Sequence, residues 1–372
     1  MGRYVHTDAP LPRSFVLPAS SFKVAIAIAI LVFTNCAGSS LRGTGSSISS
    51  IPRLGQHAET GNAFGYSTLL SSSLRGDAPW LTVSTQLSAV FRRHLEYQKR
   101  RLKIKAKSGM VFASDYNNNL VNCYAASGFN SPVIGTITSA LQSPQGMIGT
   151  DQKITVASTG SSEVLVYNAC GPQPVRTMND SSGYPIGVAV DKNGNTYVTN
   201  ILDSGSLPGE VRKYAADDNI GIQIGDNHLY KFYFVTVDTA GDLFVDGLTA
   251  EGVPELDWLP SGLGTQWKNT RISFGFPGGL GIDKNGNLLV DDQAGKLTAY
   301  SVPAFRPTGT SFNCPGGDCV SLQFDKSGDE VWIAAAAVNV VWGVRYPQGT
   351  PLDELTGGFN GGSLVIGVAI TP

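Results

Sequence analysis

Along much of the chain a short apolar run ends in Asp, a few polar positions follow, and a second run of β-branched and aromatic residues begins. Gly187-Val-Ala-Val-Asp-Lys-Asn-Gly-Asn-Thr-Tyr-Val-Thr-Asn200 is the clearest instance, and it recurs at 234–246, 280–292 and 322–334. The turn glycines Gly194, Gly241, Gly286 and Gly328 stand 47, 45 and 42 residues apart. Apolar residues with strand alternation on both sides of a Gly-containing turn predict a β-hairpin. A period of this length predicts one hairpin per blade of a propeller. Asp191, Asp238, Asp283 and Asp325 read as turn residues, whose carboxylates hold the backbone while Gly takes the positive φ. The alternating ligands and closing Glu of a helix–loop–helix calcium loop are absent.

Two weaker copies complete the count. Residues 143–158 keep Asp151 but lose the Gly, and 109–124 begin without a first strand. The missing strand stands at the other end, where Val365-Ile-Gly-Val-Ala-Ile-Thr-Pro372 matches the start of the clearest copy. The expected fold is therefore all-β: six four-stranded blades over 109–372, the C-terminal strand completing the first and closing the ring. Tyr124, Tyr167, Tyr214, Tyr300 and Tyr346 each end a third-strand run. They are expected to pack between blades with the hydroxyl at the rim; a row of sugar-stacking rings is the alternative.

The first 108 residues differ. An apolar run after Lys23 is about ten residues long, short for a membrane span and suited to a signal peptide. It leads to Cys36, which stands where a lipoprotein would be cleaved and lipidated. Residues 1–36 are thus expected to be an export leader, and the Ser- and Gly-rich 37–85 a disordered tether. Residues 86–108 form a basic juncture with a short helix, where eight Lys and Arg fall between 92 and 107. The expected location is outside the cytoplasm: periplasmic, cell-surface or extracellular, with membrane contact only through the leader or a lipid.

Charge then reverses. Residues 109–372 hold 13 Lys and Arg against 25 Asp and Glu, a formal −12. Such a domain repels a phosphate backbone, so no nucleic-acid partner is expected. Among the cysteines, Cys314-Pro-Gly-Gly-Asp-Cys319 can close as a local disulfide in an oxidising compartment. Cys123 and Cys170 either pair between adjacent blades or stay free.

The segment Phe112-Ala-Ser-Asp-Tyr-Asn-Asn-Asn-Leu-Val-Asn-Cys-Tyr124, together with the Asp-Lys-Asn-Gly-Asn hairpins, resembles the NHL-repeat group of six-bladed propellers. That superfamily also holds the gluconolactonase/senescence-marker lactonases, streptogramin lyases and strictosidine-synthase-like proteins. The resemblance implies sites at one mouth of the ring, just after each second strand, at Asp115, Ser158, Asn200, Gly247, Asp292 and Ala335. By likeness to the lactonases, Asp115, Asn200 and Asp292 are candidate ligands for Ca2+ or Mg2+, although no lactonase-type Glu opens the first blade. Asp246 and Asp291, one step earlier, are candidate ligand-binding residues. The lyases rely on histidines, and here only His228 falls in the domain, read as part of an outer loop. No Gly-x-Ser-x-Gly elbow or phosphate loop occurs. The sequence favours a monomeric binding or scaffold module for a protein, peptide or glycan without a fixed cofactor. A metal-dependent lactonase or hydrolase is the second reading.

Overall fold

The computed structural model describes residues 109–371 apart from 127–129, 181–182, 204–205, 226–227, 263 and 265. The expectations for the leader, tether, basic juncture and Cys36 lie outside the described residues.

Twenty-four strands form six four-stranded antiparallel sheets. Blade 1 contains β1 (Met110–Asp115), β2 (Leu120–Ala125) and β3 (Val133–Ile137); blade 2 is β4 (Pro144–Thr150), β5 (Lys153–Ser158), β6 (Glu163–Asn168) and β7 (Pro174–Asn179). Blade 3 is β8 (Pro185–Val190), β9 (Thr196–Asn200), β10 (Glu210–Tyr214) and β11 (Ile222–Ile224); blade 4 is β12 (Lys231–Val237), β13 (Leu243–Leu248), β14 (Pro254–Leu259) and β15 (Lys268–Asn269). Blade 5 is β16 (Pro277–Ile282), β17 (Leu288–Asp292), β18 (Lys296–Ser301) and β19 (Arg306–Asn313); blade 6 is β20 (Cys319–Phe324), β21 (Glu330–Ala335), β22 (Val340–Arg345) and β23 (Thr350–Leu355). The last strand, β24 (Val365–Thr371), pairs with β1 and becomes the innermost strand of blade 1. The ring thus closes as its sequence implies.

The turns follow the chemistry that predicts them. Asp191 Oδ1 accepts the backbone N–H of Asn193 and Asn195, both at 2.9 Å, and Asp283 repeats this with Asn285 and Asn287. Gly194 and Gly286 adopt φ of 81° and 79°, where a side chain is strained. Four of the five tyrosines are buried, and their hydroxyls reach the preceding blade: Tyr124 to Gly357 O, Tyr167 to Ser139 O, Tyr214 to Asp180 and Tyr346 to Asp283. Burial leaves those four no open ring face for a sugar. They clamp blade to blade.

Both cysteine pairs are disulfides. Cys314 joins Cys319 within the link between blades 5 and 6, and Cys123 on β2 joins Cys170 beyond β6, tying blade 1 to blade 2.

The six innermost strands converge closely. A Cβ on Gly367 would stand 2.0 Å from Gln145 O, and one on Gly146 would stand 2.3 Å from Ile186 O. Only glycine permits that approach. Gln323 of blade 6 braces the hub from within. Its Nε2 donates to Gly149 O and Ile370 O, and its Oε1 accepts from both backbone N–H groups.

Candidate functional site

Every innermost strand pairs with the second strand of its blade, and every one breaks register near its start. The shifts fall between Pro144 and Met147, Pro185 and Gly187, Phe232 and Val235, Pro277 and Leu280, and Cys319 and Ser321, with the sixth between Ser114 and Asp115 of β1 opposite β24. A β-bulge adds a residue to one strand and re-aims its side chain. Six bulges at one level re-aim a ring. Ile186, Tyr233, Val320 and Ile366, at these bulges, join one apolar cluster and are at most 6% exposed. Gln145 and Gly278 occupy the other two places. Beneath lies a cavity of about 30 Å³ lined by residues such as Met147, Val188, Val235 and Leu322.

The residue just ahead of each bulged pair stands on top of this plug. These are Ser143, Tyr184, Lys231, Phe276, Asp318 and Leu364, all half-buried. Three of the six, Tyr184, Phe276 and Leu364, are apolar or aromatic, and these three pack against the plug. Phe276 packs edge-on against Tyr233, with centroids 5.4 Å apart. The mouth therefore carries an apolar collar. The ends of the second strands surround it.

Those ends are the positions read from the sequence. Asp115 pairs with Val365, Ser158 with Pro144, Asn200 with Pro185, Gly247 with Phe232, Asp292 with Pro277 and Ala335 with Cys319. All six sit at the same mouth. Asp115, Asn200 and Asp292 belong to alternate blades, and the two aspartates each serve their own corner. Asp115 accepts the N–H of Asn118 and of Leu364 and the Asn118 amide; Asp292 accepts the N–H of Ala294.

Asn200 is fully buried, and neither polar atom of its side chain makes a well-formed hydrogen bond. It adjoins a polar knot that no motif announces. Arg212 contacts Glu210, with Asp180 at 3.4 Å and Asp203 at 3.7 Å, and Tyr214 donates to Asp180 at 2.9 Å. Burial pushes the Asp180 and Glu210 carboxyls up. Neighbouring Asn200 and Tyr214 ease that for Asp180, and Arg212 eases it for both.

Asp246 and Asp291 lie beneath the mouth surface, fully buried. They share their place in the blade with Ser114 and Thr199, and the group grips the next blade's bulge. Ser114 Oγ donates to Gln145 O, Thr199 Oγ1 to Tyr233 O, and Asp246 accepts from Phe234 N–H and Gly278 N–H at 2.7 and 3.0 Å. Asp291 is the exception. Neither of its oxygens meets a well-aligned donor, although the Gly279 N–H offsets part of the burial cost. Burial first, then the charges of Asp292, Asp246 and Asp318, hold its carboxyl well above the usual carboxylate range.

A carboxyl raised on folding binds its proton more tightly in the native state. Its stabilising share is complete below the unfolded pKa near 4 and is lost as pH rises through the folded value. Asp291→Asn is therefore expected to stabilise the propeller by about 1–3 kcal/mol at pH 8 and by little at pH 4. Urea melts at the two pH values read this directly. A variant less stable at pH 8 would show that the charged carboxylate is compensated.

His228 is better connected than an outer loop implies. Its Nδ1 stands 2.9 Å from Asp257 Oδ2 and its Nε2 3.0 Å from Glu255 Oε2. Glu255 and Asp257 alternate along β14 and so share one face.

The recurring starts Ser-Pro-Gln-Gly146, Tyr-Pro-Ile-Gly187, Phe-Pro-Gly-Gly279 and Leu-Val-Ile-Gly367 are the sequence trace of the bulges and collar. Proline at a strand's first residue gives up no ladder bond, and the glycine two places on allows the close hub contact.

No family model matches the chain, and no curated protein matches it. Solved structures do. A chain of the Nidogen/Laminin complex superposes with a TM-score of 0.59 at 13% identity, over 71% of this chain and 98% of that one. A protein of unknown function from Bacteroides caccae gives 0.54 at 10% identity, over 71% and 99%. The likeness is one of fold. It covers a share of the chain equal to the propeller.

Proposed function

We propose that this chain is an exported binding module of NHL-like type whose mouth takes a protein or peptide segment carrying apolar and basic side chains. The collar carries this reading: half-buried Tyr184, Phe276 and Leu364 over a packed plug, with half-buried Lys231, Asp292 and Asp318 beside them. Apolar anchors inside a polar rim are how protein interfaces concentrate their energy. The formal −12 of residues 109–372 favours a basic partner. A propeller of similar fold has been crystallised as part of the Nidogen/Laminin complex.

The test uses a displayed random-peptide library panned on the purified protein. Enriched peptides are expected to combine aromatic or aliphatic residues with Lys or Arg. Their affinity should fall at least about tenfold in Phe276→Asp and Tyr184→Ser and hold in Asn193→Ala on the opposite face. Peptides that bind all three variants alike would sink the reading. So would a Ca2+- or Mg2+-dependent lactone or ester hydrolysis that disappears in Asn200→Ala and Asp292→Ala, which would instead establish the metal-dependent hydrolase.

A further inference from the structure

A lone histidine makes no metal site, but the fold does not leave His228 alone. It stands in the link between blades 3 and 4, and β14 brings Glu255 and Asp257 to it across 27 and 29 residues of sequence. One ligand atom from each of the three lies within 4.8 Å of the others, and among the described residues they form the one such group of His, Cys, Asp and Glu. Both ring nitrogens face a carboxylate at about 3 Å, so a neutral imidazole, with one N–H, satisfies only one of them. Asp257 gives the second, independent sign. Its side chain is 1% exposed, one oxygen meets Nδ1, and the other, Oδ1, is buried without a hydrogen-bond partner.

We propose that His228, Glu255 and Asp257 bind a divalent transition-metal ion of the zinc type. Nε2 and Glu255 Oε2, 3.0 Å apart, are spaced as two ligands of one ion are. Asp257 orients the ring through Nδ1–H, as outer carboxylates do at metal-bound histidines. One imidazole nitrogen with carboxylate oxygens suits Zn2+, Co2+ or Ni2+ and is foreign to Ca2+ and Mg2+. The side chains of His228 and Glu255 are 45% and 27% exposed, so the ion enters from solvent and keeps water ligands. An ion on Nε2 takes the place of a proton there, which passes to solvent, so acid opposes binding.

The experiment is calorimetric titration of ZnCl2 into the untagged full chain, with His228→Ala and Glu255→Gln in parallel and thermal melts as the folding control. Expected is a site of micromolar strength that vanishes in His228→Ala and weakens roughly tenfold or more in Glu255→Gln. The wild type should lose at least about tenfold in affinity between pH 7.5 and 5.5. Co2+ should bind the same site, and CaCl2 heats should be alike for wild type and His228→Ala. Zinc isotherms that superimpose for wild type and His228→Ala would overturn the proposal and leave the three residues as a hydrogen-bonded clamp. So would a lost site accompanied by an equal gain in calcium binding.

Discussion

A chain ending at Leu364 is expected to lose the cooperative unfolding transition altogether. β24 is buried along all seven residues and supplies Val365, Ile366, Val368, Ala369 and Ile370 to the cores on either side of it. Burial at about 25 cal/mol per Å² makes each larger side chain worth about 1.5–3 kcal/mol, and four such residues together approach the whole stability of a domain. Its loss also uncovers the full edge of β1 and removes the backbone partner of Gln323 at Ile370. Scanning calorimetry and near-UV circular dichroism on the truncated chain read the effect. Adding a peptide of residues 365–372 should restore the signal, since the strand reaches its place by pairing with an exposed edge. A single transition within a few degrees of the intact chain would show that five blades and a fragment hold themselves closed.

Arg212→Met is expected to cost about 3–5 kcal/mol at pH 7, because it removes a cation bonded to two buried carboxylates and leaves them facing each other. The folded carboxyls of Asp180 and Glu210 already lie above their ordinary range, and the variant raises them further. Carboxyls raised on folding give their stabilising share below the unfolded pKa and lose it as pH rises, so the deficit should shrink as pH falls toward about 4.5. Equilibrium urea unfolding of both proteins between pH 4.5 and 8 tests magnitude and sign together. A deficit that grows on acidification would mean that the carboxylates are held charged by groups other than Arg212.

The ring was legible in the sequence because its hairpins are local. An Asp that caps its own turn and a Gly three residues later need no tertiary contact to be recognised, so the steps of 47, 45 and 42 residues carried over into blades. The hairpin repeat also set Asp115, Asn200 and Asp292 at equivalent places, the ends of second strands, and the resemblance put those at one mouth. What they do there depends on partners from other segments: Leu364 for Asp115, the Asp180 neighbourhood for Asn200. The bulges escaped because an added residue shows only against the strand it pairs with, although the Pro-x-Gly starts were there to be lined up. Glu255 and Asp257 are polar residues of a third strand, and nothing in their sequence neighbourhood points to His228. The pairing of Cys123 with Cys170 was open for the same reason: it depends on how blade 2 lies against blade 1.

The composite first blade also decides how the molecule presents itself. Met110, where β1 begins, pairs with Thr371, where β24 ends, so the propeller's chain enters and leaves side by side. That level of the blade is the one bearing the Asp-Gly hairpin turns, across the ring from Tyr184 and Phe276. A fusion, a linker or a solid support attached through either end of the propeller therefore grips its back and leaves the collar facing outward. The same adjacency makes the order of the blades a circle: joining 371 to 110 and opening the chain at the exposed Asn193–Gly194 turn gives a permuted molecule with its ends on that same rear face and the mouth untouched.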